Sequence, residues 1–485
     1  MTRTGAFTLV LGLGSLLGPL GFLKAAEPPL RARVTEALRR ATDGFRTEVA
    51  AEGGYLWRYT ADLSYREGER PATATMVWVQ PPGTPSVGLA YLHAFAATKD
   101  PFYRDAAREV ARALVKGQLR SGGWDYLIEF DPKLRARYAY RVDPGPGGKQ
   151  NVSTLDDNTT QEAVRLLMRV DQALEFRDQA IHEAVEYALS RLIEIQYPNG
   201  AWPQRFTNPL DPAPFPVKKA SYPESWSRTY PGKDYKTFYT LNDNAISDTI
   251  DVMLEASKVY ANPKYEASAK HGGDFFLLAQ MPEPQPAWAQ QYDADMHPAW
   301  ARKFEPPAIT GLESQSAIRT LLELYRATGD AKYLEPIPRA LAYLRKSRLP
   351  DGRMARFYEL KTNTPLYFTK DYQLTESDAD MPTHYGFKVG DDLDSLGKRY
   401  EALRTQGSEK PTPGSAKPRS PSRSSKPASE QVEAIVKALD ARGLWSTEGR
   451  LKTQPADHPS RRQIDTSLFI KNVKTLCRYL ESTRP

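Results

Sequence analysis

An apolar-periodic helix that runs into a glycine or proline turn and then a bulky residue recurs four times, and this repeat restricts the fold most. The endings are ALVKGQLRSGGW124, ALSRLIEIQYPNGAW202, FFLLAQMPEPQPAW288 and ALAYLRKSRLPDGRM354, with a fainter echo at ALDARGLW445. A second helical stretch precedes each of the four: Ser86–Thr98, Thr159–Ala173, Ala245–Val259 and Ser314–Thr328. The unit is therefore an αα-hairpin. One hairpin cannot bury its apolar stripe alone, so tandem copies must stack into a solenoid or close into a ring. Solenoid repeats are regular and short, at ~34 to 47 residues. The units here are longer and uneven, with long loops gathered at one end. The expected fold is all-α: an incomplete α/α toroid of tandem helical hairpins, with its loops surrounding a central groove. A small β-hairpin is expected before it, in Gly53–Val79, where aromatic and polar residues alternate around Glu67-Gly68-Glu69.

The flanks divide the chain further. Arg3, the apolar run Ala6–Leu23 and the small pair Ala25-Ala26 read as a secretory signal peptide over residues 1–26. A membrane anchor is the alternative, disfavoured by the glycines and proline inside the run. Residues 27–404 are expected to form the toroid, and 405–430 a disordered Pro/Ser/Lys linker. Residues 431–485 contain two amphipathic stretches, Val432–Leu444 and Ser467–Glu481, expected to complete the ring. A single cysteine, Cys477, excludes any disulfide within the chain. An exported monomer, secreted or periplasmic and stabilised by its core alone, fits that count.

The net charge of +7 does not point to nucleic acid, because Thr405–Glu430 holds five Lys or Arg against two Glu in a linker rather than on a folded face. No nucleic-acid partner is expected, and no membrane after signal cleavage. The chain is rich in Tyr (26) and Trp (8), residue types suited to stacking on sugars as well as to cores.

Two helix starts carry more oxygen than helices need. LDDNTTQEAVRLLM, from Leu155, and LNDNAISDTIDVML, from Leu241, match in polarity almost position by position. Asp156 and Asp157 in one copy, and Asn242, Asp243 and Asn244 in the other, crowd hard oxygen ligands of the kind Ca²⁺ prefers. Capping accounts for one such residue per helix, not for a run in both. The second copy is expected to face the first across the groove. Arg302 lies in the proline-bounded loop PAWARKFEPP, and Glu313 at the following helix start. Arg353, Arg356 and Lys370 alternate with aromatics, a pattern suited either to carboxylate recognition or to an ordinary β-hairpin. His297 and His384 are isolated, and the six histidines have no zinc spacing.

The motifs NGAWPQR, TLNDNAISDTI, PAWARKFEPPAITGLES and RFYELKTNTPLYF, in this order, resemble the pectate lyases of polysaccharide lyase family 10. GGYLWRYTADLSYREGE and WVQPPGTPSVG before them, and TSLFIKNVKTLCRYL at the end, strengthen the likeness. The resemblance implies an α/α toroid that cleaves polygalacturonate, or pectin, by Ca²⁺-dependent β-elimination. It implies Arg302 as the base and Asp156 or Asp157 with Asp243 as acidic metal or substrate ligands. The motif favours Asp156, while the internal repeat pairs Asp157 with Asp243. Arg356 and Lys370 fall at substrate-binding basic positions. Where the family carries further basic residues, this chain has Thr364 and, near a later Gly-Tyr, His384. Trp124, Trp202 and Tyr197 are expected as stacking platforms, and Asn242 as a substrate contact. An inverting glycosidase using Asp243 and Glu313, or a non-catalytic binder of acidic glycans, are the competing expectations.

Overall fold

The computed structural model describes residues 1–2, 28–408 and 427–483, apart from 146, 210, 233 and 236. The expected signal peptide and most of the expected linker lie outside the described residues.

Thirteen α-helices are described: α1 (Leu30–Gly44), α2 (Thr84–Thr98), α3 (Pro101–Gly117), the single turn α4 (Pro132–Arg135), α5 (Thr159–Ala173), α6 (Gln179–Glu194), α7 (Ala245–Tyr260), α8 (Pro263–Ala279), α9 (Gly311–Thr328), α10 (Ile337–Lys346), α11 (Leu393–Gln406), α12 (Ser429–Lys437) and α13 (Thr466–Ser482). They form an α/α toroid. The inner row runs α13, α2, α5, α7, α9, α11, each helix touching the next, while α3, α6 and α8 back it from outside. α13 packs on α2 and α1, and α12 on both α1 and α13. The two ends of the chain meet again where Arg58–Thr60 pairs with Arg462–Asp465.

Local sequence explains the helix starts. α3 and α8 each open with a capping side chain followed by proline at the first helical position, where a missing N–H costs nothing. Asp100 Oδ1 accepts from the Phe102 N–H at 3.0 Å, and Asn262 Oδ1 from the Lys264 N–H at 3.1 Å. The core lies between the two rows: Val164, Leu167, Ile250, Met253, Ile318 and Leu321 are all fully buried.

The β-hairpin is present, with Arg58–Thr60 antiparallel to Arg66–Glu67. The loop ends also contain more strand than the sequence suggests. Residues just before each inner helix pair with residues just after its outer partner: Met76–Trp78 with Leu127–Glu129, Ser153–Thr154 with Arg205–Phe206, Tyr239–Thr240 with Gln291–Tyr292, and Ala308–Thr310 with Phe357–Glu359. The repeating unit is thus strand–helix–helix–strand, and the strand clips close each loop end like a collar. Strands of two or three residues leave no period-2 signature, so sequence patterning misses them.

The recurrent tryptophans belong to this scaffold, which corrects one expectation. Trp124 and Trp202 are fully buried. Their indole N–H groups donate to the Leu114 and Leu192 carbonyls at 2.9 and 2.7 Å, and Trp288 and Trp445 do the same to Phe276 and Ile435. Each ring plugs the end of its own outer helix. A ring without an exposed face cannot stack on a sugar, so Trp124 and Trp202 are not platforms, and neither is the buried Tyr197. The turn ahead of the ring needs a left-handed residue, supplied by Gly122 (φ +115°) and Gly200 (φ +94°). Just ahead of that turn a glutamine ties neighbouring repeats. Gln118 Nε2 donates to the Ala184 carbonyl at 2.9 Å, Gln196 to Ser268 at 3.0 Å and Gln280 to Pro336 at 3.0 Å.

Candidate active site

The two oxygen-rich turns sit at the starts of α5 and α7, which are neighbours in the inner row. They therefore touch one another, rather than facing across the groove as the ring model from sequence implies. Both are short 3₁₀ turns, Asp156–Asn158 and Asn242–Asn244, with the same unusual backbone. Asp157 and Asn158 have φ of 51° and 57°, and Asp243 and Asn244 of 52° and 56°. Two consecutive left-handed residues are tolerable for Asp and Asn but strained for most side chains. None of these side chains caps its helix. Capping therefore does not explain the repeated aspartates.

What the strained turns achieve is convergence. Asp156, Asp157 and Asp243 each offer a carboxylate oxygen, all within 4.8 Å of one another. Oxygens on a coordination shell of ~2.4 Å radius lie no more than ~4.8 Å apart, so the cluster has the span of a Ca²⁺ shell. The choice between Asp156 and Asp157 dissolves, since both reach the cluster. Tyr126 Oη donates to Asp156 Oδ2 at 2.9 Å, and Gln80 Nε2 to Asp157 Oδ2 at 2.8 Å. Asp156 Oδ1 is buried with no hydrogen-bond partner. Burial, and then the neighbouring carboxylates Asp156 and Asp157, push Asp243 up to about 7. Burial, Asp156 and Glu69 push Asp157 up to about 6. Asp243 is exposed to solvent and lines the same pocket as Asp156 and Arg302. An orphaned buried oxygen and mutually repelling carboxylates are what a cation would relieve. The donor set fits a hard divalent ion.

The cluster opens into a pocket of about 200 Å³ lined by Asp156, Arg205, Tyr235, Asn242, Asp243 and Arg302, among others. The loop at 298–307 brings Arg302 there. Its Nη2 donates to Glu305 Oε1 at 2.6 Å, and its backbone N–H to Oε2 at 3.0 Å. Tyr385 Oη donates to the same Glu305 Oε1 at 2.9 Å. Burial opposes charge on Arg302, but the bond to Glu305 and its negative charge outweigh it and raise the guanidinium above its ordinary value. Burial would raise Glu305; its bonds to Arg302 and Tyr385 hold it low instead. The side chain of Arg302 is 40% exposed and that of Glu305 only 2%.

Arg356 lies one layer behind. Its Nη2 donates to Asn242 Oδ1 at 2.9 Å and Glu313 Oε1 at 2.7 Å, and its guanidinium sits 4.3 Å from the centre of the Tyr385 ring. At 7% exposure it orients Asn242 and Tyr385 more than it meets solvent. Glu313 is buried behind it, which removes the carboxylate pair a glycosidase reading needs. Lys370 is not brought to the pocket: it is exposed and pairs with Asp380 at 2.9 Å. His384 packs on Phe304 and Tyr372.

Sequence reasoning passes over Glu305, Tyr385, Tyr126, Gln80 and Arg205. The i, i+3 spacing of Arg302 and Glu305 was a usable signal, and Arg205 lies within NGAWPQR. Tyr385, Tyr126 and Gln80 come from loops distant in sequence and carry no local mark.

Residues 138–324, which hold all three aspartates, Asn242, Arg302 and Glu305, match the family model described as pectic acid lyase. The chain resembles polysaccharide lyase family 10 through this segment. Among solved structures, a family 10 polysaccharide lyase from Cellvibrio cellulosa is 20% identical over 65% of this chain and 94% of its own, with a TM-score of 0.45. A mutant of that lyase in complex with trigalaturonic acid is 19% identical, over 66% and 98%, at a TM-score of 0.45. A GH76 α-mannanase from Bacteroides thetaiotaomicron is 11% identical, over 94% and 97%, at 0.42. No curated protein matches the chain.

Proposed function

We propose that this chain, a polysaccharide lyase by the family segment it carries, cleaves polygalacturonate by β-elimination with Ca²⁺ at the three-aspartate cluster. The observation that carries the reading is the convergence of Asp156, Asp157 and Asp243 in one cluster, two of whose members, Asp156 and Asp243, line a pocket with Arg302. The reaction removes the proton on C5, α to the uronate carboxylate, and breaks the C4–oxygen bond. The C5 proton is too weak an acid to leave unaided, so negative charge growing on the carboxylate must be stabilised as it forms. Ca²⁺ held by Asp156, Asp157 and Asp243 would bind that carboxylate and supply positive charge there.

The remaining work falls to side chains. Arg302 has one edge fixed by Glu305, while its Nε and Nη1 have no partner among the described residues. Protonated, it places positive charge beside the developing enolate. Deprotonated, the same guanidine would take the C5 proton. Glu305 holds it protonated in the free protein, so turnover by that route needs alkaline pH. Asn242, whose Oδ1 accepts from Arg356 and whose Nδ2 donates to Asp243, holds Asp243 at the pocket lining.

Incubating the protein with polygalacturonate at alkaline pH and following ultraviolet absorbance of unsaturated uronides tests the reading. Absorbance should rise with Ca²⁺, stop with chelator and fail in Arg302→Lys. Reducing ends released without absorbance, in the presence of chelator, would favour a hydrolase. Export of the chain belongs to the same reading, resting on Arg3, Ala6–Leu23 and Ala25-Ala26. Secretion from a host with loss of about the first 26 residues, read by mass, checks it.

A further inference from the structure

Residues 124–126 join the first two strand clips. The Tyr126 carbonyl accepts from the Val79 N–H at 2.7 Å, and the Trp124 carbonyl from the Thr154 N–H at 2.9 Å. Tyr126 turns to the aspartate cluster and binds Asp156. Its neighbour Asp125 has no such role. Asp125 Oδ1 accepts from the Tyr126 N–H at 2.8 Å, and no cation among the described residues lies within ion-pair distance of it. Burial pushes its carboxyl up, opposed by that bond and by the charges of Arg205 and Arg70. Arg205 lines the pocket, whereas Arg70 lies outside it. Arg70 is exposed and, among the described residues, has no carboxylate partner. Its turn is nonetheless fixed. The Gly68 N–H donates to the Arg70 carbonyl at 3.0 Å, a Cβ on Gly68 would fall 2.2 Å from the Trp78 ring, and the Arg70 guanidinium sits 5.9 Å from the centre of that ring.

Asp125 and Arg70 also act together on Tyr138, whose hydroxyl is raised by burial and by Asp125 and lowered by Arg70. Tyr138 stacks on the buried Tyr140, with centroids 5.1 Å apart and planes 19° from parallel. Tyr140 is held in turn by the Arg135 guanidinium, 4.1 Å from its centre. Among the described residues Tyr140 is the only ring on Tyr138, which is half-buried. Unlike the tryptophan plugs, this ring is rigid and keeps surface open to solvent.

We propose that Tyr138, Arg70 and Asp125 form a further sugar subsite outside the catalytic pocket, which takes a uronate of the polymer lying beyond those at the aspartate cluster. Tyr138 offers a ring for the apolar C–H face of the sugar, Arg70 pairs with the uronate carboxylate, and Asp125 accepts from sugar hydroxyls. This inference rests on the proposed function. Arg70 and Asp125 precede the segment 138–324 that matches the family model, so that segment does not account for them. The subsite touches no reacting atom, and it favours long acidic chains over short ones.

The test compares wild type with Arg70→Gln and Tyr138→Leu on trigalacturonate and on octagalacturonate. On the octamer each variant should lose about 5-fold in kcat/KM, through KM rather than kcat, which corresponds to ~1 kcal/mol. On the trimer, too short to fill both the pocket and the subsite, the loss should be under about 2-fold. If either variant loses equally on both substrates, or on neither, the inference is overturned while the lyase reading stands. If wild type itself shows no turnover, the lyase reading fails. Calorimetry of octagalacturonate with Ca²⁺ then decides for the subsite: weaker binding by both variants supports it, and equal or absent binding refutes it.

Discussion

Removing Arg302 should damage the fold as well as the activity, and the two effects can be separated. Glu305 is a carboxylate with a side chain 2% exposed, held by three donors: Arg302 Nη2, the Arg302 backbone N–H and Tyr385 Oη. Arg302→Ala deletes the only positive one. Leaving a buried charge unpaired costs ~3 to 5 kcal/mol. The two surviving hydrogen bonds, at 3.0 and 2.9 Å, keep the carboxylate partly satisfied, so the loss should fall near the lower end, at about 3 kcal/mol. Glu305→Gln is milder, because Arg302 is 40% exposed and water can solvate it; about 1 kcal/mol is expected. The double variant Arg302→Ala/Glu305→Gln no longer buries an unpaired charge. It should recover about 2 kcal/mol relative to Arg302→Ala alone. Urea denaturation midpoints of the four proteins measure this cycle, with turnover measured on the same samples. Stability should return in the double variant and activity should not. If Arg302→Ala is as stable as wild type, or the double variant is no better than the single, the buried-charge argument is wrong.

Other consequences can be checked at other places in the fold. Asp243→Asn should stabilise the free protein by about 1 kcal/mol, since it removes one of three repelling carboxylates. It should also abolish turnover and the rise in thermal midpoint that Ca²⁺ gives wild type; a retained Ca²⁺ shift would count against the cluster as the cation site. Trp202→Phe loses the bond to the Leu192 carbonyl and some packing at a fully buried position. It should cost about 1 to 3 kcal/mol and leave KM unaltered, whereas a raised KM with unchanged stability would restore it as a platform. His182 donates its Nδ1 proton to the fully buried Asp171 at 2.8 Å, and that bond, opposed by partial burial, raises the imidazole above its ordinary value. A raised folded value means the contribution is full below the unfolded pKa of ~6.5 and is lost as pH rises through the folded value. The stability gap between wild type and His182→Gln should therefore be widest near pH 6 and narrow at higher pH. A gap constant across that range would show that ionisation of His182 contributes nothing.

The helices, their pairing and the ring were legible because 3.6-residue periodicity persists over a dozen residues and the hairpin recurs. The site was legible where chemistry was concentrated in one short stretch. Asp156, Asp157 and Asp243 were visible as a repeated string, and Arg302 as a charge in a proline-bounded loop. What placed the two strings side by side was the adjacency of α5 and α7, which no local pattern specifies. The tryptophans misled because a ring that plugs a helix end and a ring that stacks on sugar look the same in sequence. Only the indole hydrogen bond to a carbonyl ten or twelve residues earlier tells them apart. Arg356 was expected as a substrate contact from the family resemblance, while its alternation with aromatics fitted an ordinary hairpin equally well. Its partners Asn242 and Glu313 lie 114 and 43 residues away, so its burial was invisible. The recurrent glutamine at Gln118, Gln196 and Gln280 was present in each repeat ending and stands out only once its bond to the next repeat is known.

Mass spectrometry of the products from a defined oligogalacturonate tests the central claim most directly. β-Elimination breaks the C4–oxygen bond without taking up water, so the product masses must sum to that of the substrate, and one product must carry an unsaturated end. That outcome, dependent on Ca²⁺ and absent in Asp243→Asn, is what the three-aspartate pocket predicts. Products that together gain one water per bond broken, formed with or without Ca²⁺, would contradict it.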